Sequence, residues 1–515
     1  MRQTVDILDT TLRDGAQGEG IQFSNVDKKE IVKLLDGLGI AYIEAGNPAS
    51  NPKDAAFFEQ AKTLTLRHAR LVAFGSTVRR GMAPEDDEGC RALLAAGTRC
   101  VTVFGKAWSL HADEVLRVSR GENLRMIEDT VRYFTDAGRT VFFDAEHFFD
   151  GYTGDPDYAL AVLDAAARGG AACLVLCDTN GGSFPDDVGH AAALVMNLHP
   201  HVGIHCHNDN GCAVASTLAA VKAGARHVQG TYTGFGERCG NAALTSILPN
   251  LQGKLGYRCL PEGNLARLTE TARAISEIAN VTPDPSAPFV GNSAFAHKGG
   301  MHIDGVSKLA RSFEHIDPAS VGNRRRFLVS EAAGRGAVLP LLQKYRPDIN
   351  KDSPEAGELV TLLKQKEAQG YAYESAEASL ELLVRRCAGR EHSFFELMRY
   401  RIMGEQDNLC SALVKLRVGG REELAAEEGD GPVHALDRAL RKGLEVFYPG
   451  LEKVRLIDYK VRVLDSKEAT AAGVRVLIHS TDGADIWSTV GVSTNIIDAS
   501  WMALADSMEY KLLKG

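Results

Sequence analysis

Eight times in its first 260 residues the chain alternates a short apolar or β-branched run with a stretch of helical period. The runs lie at 3–9, 41–45, 70–74, 100–104, 140–144, 173–177, 202–206 and 227–231. Strands separated by helices run parallel, because a crossover is needed to bring the chain back to the same end of a sheet. Eight is the number of such units that closes a barrel. A doubly wound open sheet would carry a Gly-rich phosphate turn after its first strand, and Thr11-Leu12-Arg13-Asp14-Gly15 is not one. The first helix has its own signals. Ser24 and Asp27 make a capping-box start, Ile31, Leu34, Leu35 and Leu38 recur at helical spacing, and Gly37 and Gly39 close it. The expectation is an α/β chain whose residues 1–270 form a (β/α)8 TIM barrel.

A barrel takes roughly 250 residues, which leaves about half of the 515 for something else. Thr282-Pro283-Asp284-Pro285 and Pro288 stop both helix and strand, and the segment from Arg346-Pro347 to Ser353-Pro354 is a second break. Residues 271–385 are expected to form helical linker subdomains. Residues 386–515 hold a faint repeat: His434-Ala435-Leu436-Asp437-Arg438-Ala439-Leu440 resembles Asp498-Ala499-Ser500-Trp501-Met502-Ala503-Leu504 at an offset of 64 positions. Alternating strand-like runs precede each copy, at 413–418 and 474–478. Two pseudo-symmetric β-β-β-α units, an α+β domain, are the reading. This region carries no metal or acid–base cluster, so regulation and dimer formation are expected of it. The Gly429-Asp430-Gly431 and Ser493-Thr494-Asn495 turns would present N–H groups to an amino-acid carboxylate.

Net charge is −9, and the only basic cluster is Arg324-Arg325-Arg326. That is too short for a nucleic-acid footprint, though a small anion could sit there. No apolar run approaches the ~18 residues of a membrane span, and the first residues lack the pattern of a signal peptide. The ten cysteines include no C-x-x-C pair, and Cys173, Cys177 and Cys206 lie in apolar runs. A cytoplasmic protein without nucleic-acid or membrane partners is expected.

In a β/α barrel the active site forms at the C-terminal ends of the strands. Polar residues gather there: Arg13 and Asp14 after the first strand, Glu44 after the second, Glu146 and His147 after the fifth, Asp178 and Thr179 after the sixth. His205 and His207 lie on the seventh, and Glu237, Arg238 and Asn241 follow the eighth. Residues i and i+2 of a strand share a face, so His205 and His207 point one way. Barrel closure brings the end of the first strand beside the eighth and near the seventh. Asp14, His205, His207 and Asn241 would then offer nitrogen and oxygen donors to Mn2+, Mg2+, Co2+ or Zn2+. An octahedral ion would keep two positions for a chelating 2-oxo acid. Arg13 would stabilise negative charge growing on the ketone oxygen. Glu146 would share protons near the second substrate, or else form a structural salt bridge. Thr179 would donate to the substrate carboxylate, or else cap the following helix.

Asp9-Thr10-Thr11-Leu12-Arg13-Asp14-Gly15, His205-x-His207-Asn208-Asp209 and Gly234-Phe235-Gly236-Glu237-Arg238-Cys239-Gly240-Asn241 resemble the 2-isopropylmalate, homocitrate and citramalate synthase group of DRE-TIM metallolyases. The segments 143–152, 176–182 and 321–327 are most similar to the citramalate-forming branch. The resemblance implies a metal-dependent Claisen condensation of acetyl-CoA with pyruvate, on a route to isoleucine. It implies Asp14, His205, His207 and Asn241 as metal ligands and Arg13 and Glu146 as catalytic. It also implies that His302, in His297-Lys298-Gly299-Gly300-Met301-His302, completes the acetyl-CoA site, often across a homodimer. Isoleucine would be the feedback ligand, or leucine if the product is isopropylmalate. Two positions depart from the group: Thr233 stands where Asn is usual, and Phe313 where Tyr is frequent. Rival readings are an isopropylmalate synthase using 2-oxoisovalerate, a retro-aldol CoA-ester lyase, and a non-catalytic amino-acid sensor. The lyases are shorter, and a sensor has no need of Arg13, Asp14, His205, His207 and Asn241 together.

Overall fold

Strand β1 (Asp6–Asp9) pairs on one side with β2 (Tyr42–Glu44) and on the other with β8 (His227–Gly230), so the sheet closes on itself. In this computed structural model, β3 (Arg70–Ser76), β4 (Cys100–Lys106), β5 (Thr140–Glu146), β6 (Cys173–Asp178) and β7 (Val202–Cys206) complete an eight-stranded parallel barrel. The structure describes residues 3–298, 300–328, 334–390, 393–404, 409–464, 472–483 and 485–515. The expected barrel is present, and each strand overlaps one of the apolar runs, with β3, β4 and β5 continuing two residues past theirs.

Alternation along each strand sorts the barrel into layers. Ile7, Ile43, Val101, Val141, Leu174 and Ile204 belong to the shell between strands and helices. Leu8, Val72, Cys100, Phe142, Cys173 and Val175 fill a separate interior core. Two residues beyond Phe142 on the same face of β5 is Asp144, and two further is Glu146. The barrel interior therefore changes from apolar to polar toward the C-terminal ends of its strands.

The first helix, Asn25–Leu38, starts with the Ser24–Asp27 capping box and buries Ile31, Val32, Leu35 and Leu38. Near its end, Asp36 accepts the backbone N–H groups of Arg67, His68 and Ala69, just before β3. Burial opposes its charge, but the three N–H donors prevail and hold its carboxyl below the usual value. A depressed folded pKa gives stability that is present above the unfolded value, near 4, and is lost as pH falls through the folded one. Asp36→Ala is expected to cost about 2 kcal/mol, the scale of hydrogen bonds to a charged group. Urea unfolding at pH 7 and pH 3 checks this, and the difference between wild type and variant should shrink at the lower pH.

Two structural units are resolved. The first comprises Met1–Phe295 and Ile316–Arg324, the second Ala296–His315 and Arg325–Gly515. The second holds a short parallel pair, β9 (Ala296–His297) with β10 (Arg326–Phe327). Helices Gly300–Lys308, Arg335–Gln343, Pro354–Ala368 and Glu377–Cys387 pack around Ile303, Val338, Leu359 and Leu383. Two antiparallel sheets follow, β11 (Glu396–Gly404), β12 (Cys410–Val418) and β13 (Arg421–Gly429), then β14 (Arg455–Val463), β15 (Val474–Thr481) and β16 (Ile486–Ser493). Helices Pro432–Glu445 and Ile496–Lys514 each follow their sheet and start 64 positions apart. The first strand of each sheet is bulged near its start, at Leu397/Arg399 and Leu456/Asp458. The internal repeat is therefore a structural one. Two arginines of the basic cluster are ion-paired, Arg325 with Glu314 and Arg326 with Glu377.

Candidate metal centre and active site

The turn after β1 is pinned by Thr10. Its carbonyl accepts the N–H groups of Arg13 and Gly15, and its hydroxyl donates to Glu44 Oε2 at 2.8 Å. This delivers Asp14 to the barrel mouth, where Oδ2 lies 3.4 Å from His205 Nε2 and 3.8 Å from His207 Nε2. One donor atom from each of the three lies within 4.8 Å of the others, and all three residues are buried. Arg13 stands beside them. Its Nε donates to Glu44 Oε2 at 2.6 Å, its Nη1 is 3.3 Å from Asp14 Oδ2, and its guanidinium lies 3.7 Å over the Phe74 ring.

Asn241 is set beside His207 by a backbone detail that strand-and-helix reading misses. Past β8 the chain folds back, and Asn241 forms an antiparallel bridge with His207. Asn208 N–H bonds Gly240 O and Ala242 N–H bonds Cys206 O, extending the end of β7. The turn has no room for side chains. A Cβ on Gly236 (φ 154°) would lie 2.3 Å from Asn241 Nδ2, and one on Gly240 (φ 81°) 2.1 Å from Gly234 O. Both positions also have the positive φ that glycine tolerates best.

Burial and neighbouring charge together set the titration of the cluster's three ionisable groups. Burial opposes ionisation of Asp14, but Arg13 and His205 hold its carboxyl well below the ordinary range. Burial, with His205 beside it, pushes His207 down to about 4, so its imidazole is neutral at pH 7. Burial also acts to lower His205, but the Asp14 carboxylate overrides it and the net shift is upward. Asp14 Oδ1, Asn241 Oδ1 and His207 Nδ1 are buried with no hydrogen-bond partner. Buried polar atoms without partners are costly and call for an explanation. A hard or borderline divalent cation held between these residues could satisfy the two oxygens, with the ring nitrogens that face Asp14 as further donors.

The remaining expected residues lie at other strand ends. Glu146, the last residue of β5, is the register partner of Lys106 on β4, and the two form an ion pair. Thr179 Oγ1 accepts the N–H of His147 at 2.9 Å, which ties the β5 and β6 ends. The helix Pro185–Leu198 is capped at Phe184, so Thr179 does not cap it. Asp178 is spent on its own loop through Ser183, and Arg238 links Asp209 and the Thr179 carbonyl. His302 belongs to the second unit, on the helix Gly300–Lys308. It is exposed there, its ring stacked on Phe313 with centroids 4.3 Å apart. Gly299 of its motif is outside the described residues. Thr233 Oγ1 is buried without a hydrogen-bond partner.

Sequence reasoning missed three contributors. Lys106 lies past Gly105, where the apolar run stops, and is placed at the rim by the continued pairing of β4 with β5. Asp144 and Gln229 sit one layer below the rim: Gln229 Oε1 is 3.0 Å from His205 Nδ1, and Gln229 Nε2 donates to Asp144 Oδ1 at 2.8 Å. Burial and the Glu44 charge push Asp144 up to about 7.

A closed parallel barrel with an Asp-His-His cluster at its C-terminal mouth defines an HMGL-like enzyme, and residues 4–275 match the family of that description. Residues 289–370 match the homocitrate synthase post-HMGL domain-like family, and residues 374–512 the LeuA allosteric (dimerisation) domain. An (R)-citramalate synthase of Aquifex aeolicus is 50% identical over 100% of this chain and 99% of its own length. One from Synechocystis sp. is 48% identical over 98% of this chain and 96% of its own. A 2-isopropylmalate synthase of Vibrio cholerae is 29% identical over 98% and 95%. The chain belongs to the (R)-citramalate synthase family. Among the described residues, no helix is long and apolar enough to cross a membrane.

Proposed function

We propose that the chain condenses acetyl-CoA with pyruvate to give (R)-citramalate and CoA, at the barrel mouth around Asp14. The observation that carries this reading is identity over nearly the full chain, 45–50% to five (R)-citramalate synthases against 32% to a probable 2-isopropylmalate synthase. A divalent cation held by Asp14, His205, His207 and Asn241 would supply Lewis acidity to the ketone of a 2-oxo acid. Arg13, held in place by Glu44, stabilises the negative charge that grows on the ketone oxygen. Thr179 keeps its hydroxyl proton free to donate to the substrate carboxylate, since its oxygen already accepts from His147. Glu146 is the rim carboxylate for proton exchange at the acetyl methyl, with Lys106 as its partner, and His302 is the second candidate base. Loss of the methyl proton gives an enolate whose carbon bonds to the ketone carbon. The new alkoxide is protonated, and water then cleaves the thioester and releases CoA.

The test is release of free CoA from acetyl-CoA with pyruvate, 2-oxobutanoate, 2-oxoisovalerate and 2-oxoglutarate in turn. Pyruvate should exceed 2-oxoisovalerate in kcat/KM by about 10-fold or more, the worth of added methyl groups in a fitted pocket. Preference for 2-oxoisovalerate would move the chain to the isopropylmalate reaction.

The same reading includes a homodimer built through the C-terminal domain, a cytoplasmic setting and isoleucine as feedback ligand. The two turns proposed for its carboxylate are partly used. Pro432 removes one N–H from the first helix, Asp430 N–H bonds His434 Nδ1, and Asn495 takes the N–H of Ile497. Cutting the chain near residue 390 would strip helix Glu377–Cys387 of its partners, because Ser379 Oγ bonds both Asp506 and the N–H of Val490. The feedback test therefore uses the full chain, with CoA release followed across an isoleucine series. Inhibition by isoleucine ahead of leucine is expected. Indifference to millimolar levels of both would remove this part of the reading.

A further inference from the structure

Of all the buried polar groups outside the proposed reaction chemistry, the pair Asp144 and Gln229 is the most specifically arranged. Gln229, on β8, is the register partner of His205 on β7. It is fully buried, and Asp144 and His205 are buried with it. The three make a directed chain. The Gln229 amide nitrogen can only donate, and it donates to Asp144 Oδ1 at 2.8 Å. Its amide oxygen therefore faces His205 Nδ1, at 3.0 Å. An amide oxygen can only accept, so the His205 Nδ1 carries a proton. In the neutral ring the lone pair is then on Nε2, the atom that faces Asp14 Oδ2. His207 has no such guide, since its Nδ1 has no partner.

We propose that Gln229, clamped by Asp144 from across the barrel, is a positioning residue that fixes the tautomer and ring angle of His205 and so presents Nε2 to the cation. The inference rests on His205 being a ligand. Without the clamp the amide can turn, and a turned amide would offer N–H to Nδ1 and place the proton on Nε2, where a cation must bind. Partners of this kind orient ligating histidines, and their loss typically weakens metal binding by about 10- to 100-fold.

The experiment uses the full-length protein, stripped by chelator and titrated with Mn2+. Gln229→Met keeps the volume and removes both hydrogen bonds. Asp144→Ala leaves Gln229 in place but frees its amide, and it decides the matter if Gln229→Met does not fold. Both are expected to raise the Mn2+ dissociation constant about 10-fold or more and to shift the visible absorption of the Co2+ form. A core defect alone would lower the metal-free melting temperature and leave the Co2+ band in place. His205→Ala is the reference. If it binds Mn2+ like wild type, the ligand assignment itself fails. If it loses Mn2+ while either folded variant keeps wild-type affinity and spectrum, the positioning role is overturned and the ligand assignment stands.

Discussion

His207→Ala is expected to leave the barrel folded, to lose its divalent cation and to lower turnover by about 10³-fold or more. The rate figure follows from the several kcal/mol that a Lewis acid contributes, at about 1.4 kcal/mol per factor of ten. The fold should survive because His207 lies beyond the last residue of β7 and belongs to neither the shell nor the interior core. Its ring is neutral at pH 7 and its Nδ1 has no partner, so removal strands no buried charge on His207 itself. Metal analysis of the purified variant, circular dichroism and CoA release check the three parts. Stoichiometric metal with near-normal turnover would remove His207 from the ligand set.

Arg13→Lys is expected to cost about 10²-fold or more in kcat, the scale of losing one oxyanion donor, with a smaller change in KM. Arg13 spends Nε on Glu44 and Nη1 on Asp14 and still lies flat over Phe74. A lysine ammonium is a point donor without the planar fork. It can keep the pairing with Glu44 or approach the substrate oxygen, but not both with one geometry. The loss should fall on kcat because the interaction strengthens as charge develops on the oxygen. Steady-state kinetics with pyruvate varied at saturating acetyl-CoA measure the split. An unchanged kcat would make Arg13 a structural partner of Glu44.

Much of the barrel was legible because its signal is local. Strand period, crossover length and the capping box at Ser24 each depend on residues a few positions apart. The end of β4 was not: Gly105 interrupts the apolar run, so the strand reads as finished at 104. In the barrel, pairing with β5 continues through Gly105 opposite Ala145 and Lys106 opposite Glu146. That pairing makes Glu146 half of an ion pair, and it reveals a basic residue at the rim. Asp178 and Arg238 show what a place at a strand end leaves open. Each sits where a catalytic residue would, yet both are spent tying loops together.

The sequence by itself determined the parallel eight-stranded barrel, the doubled C-terminal unit and the shared direction of His205 and His207. All three follow from periodicity, which says which way a side chain points along its own element. Periodicity says nothing about what waits opposite. Asn241 reaches His207 only because the chain past β8 folds back onto the end of β7. Gln229 meets His205 from 24 positions away and Asp144 from 85, because barrel closure sets the register that stacks those side chains in one layer. Those encounters belong to the tertiary structure, where the burial of each polar atom depends on a partner that local sequence cannot name.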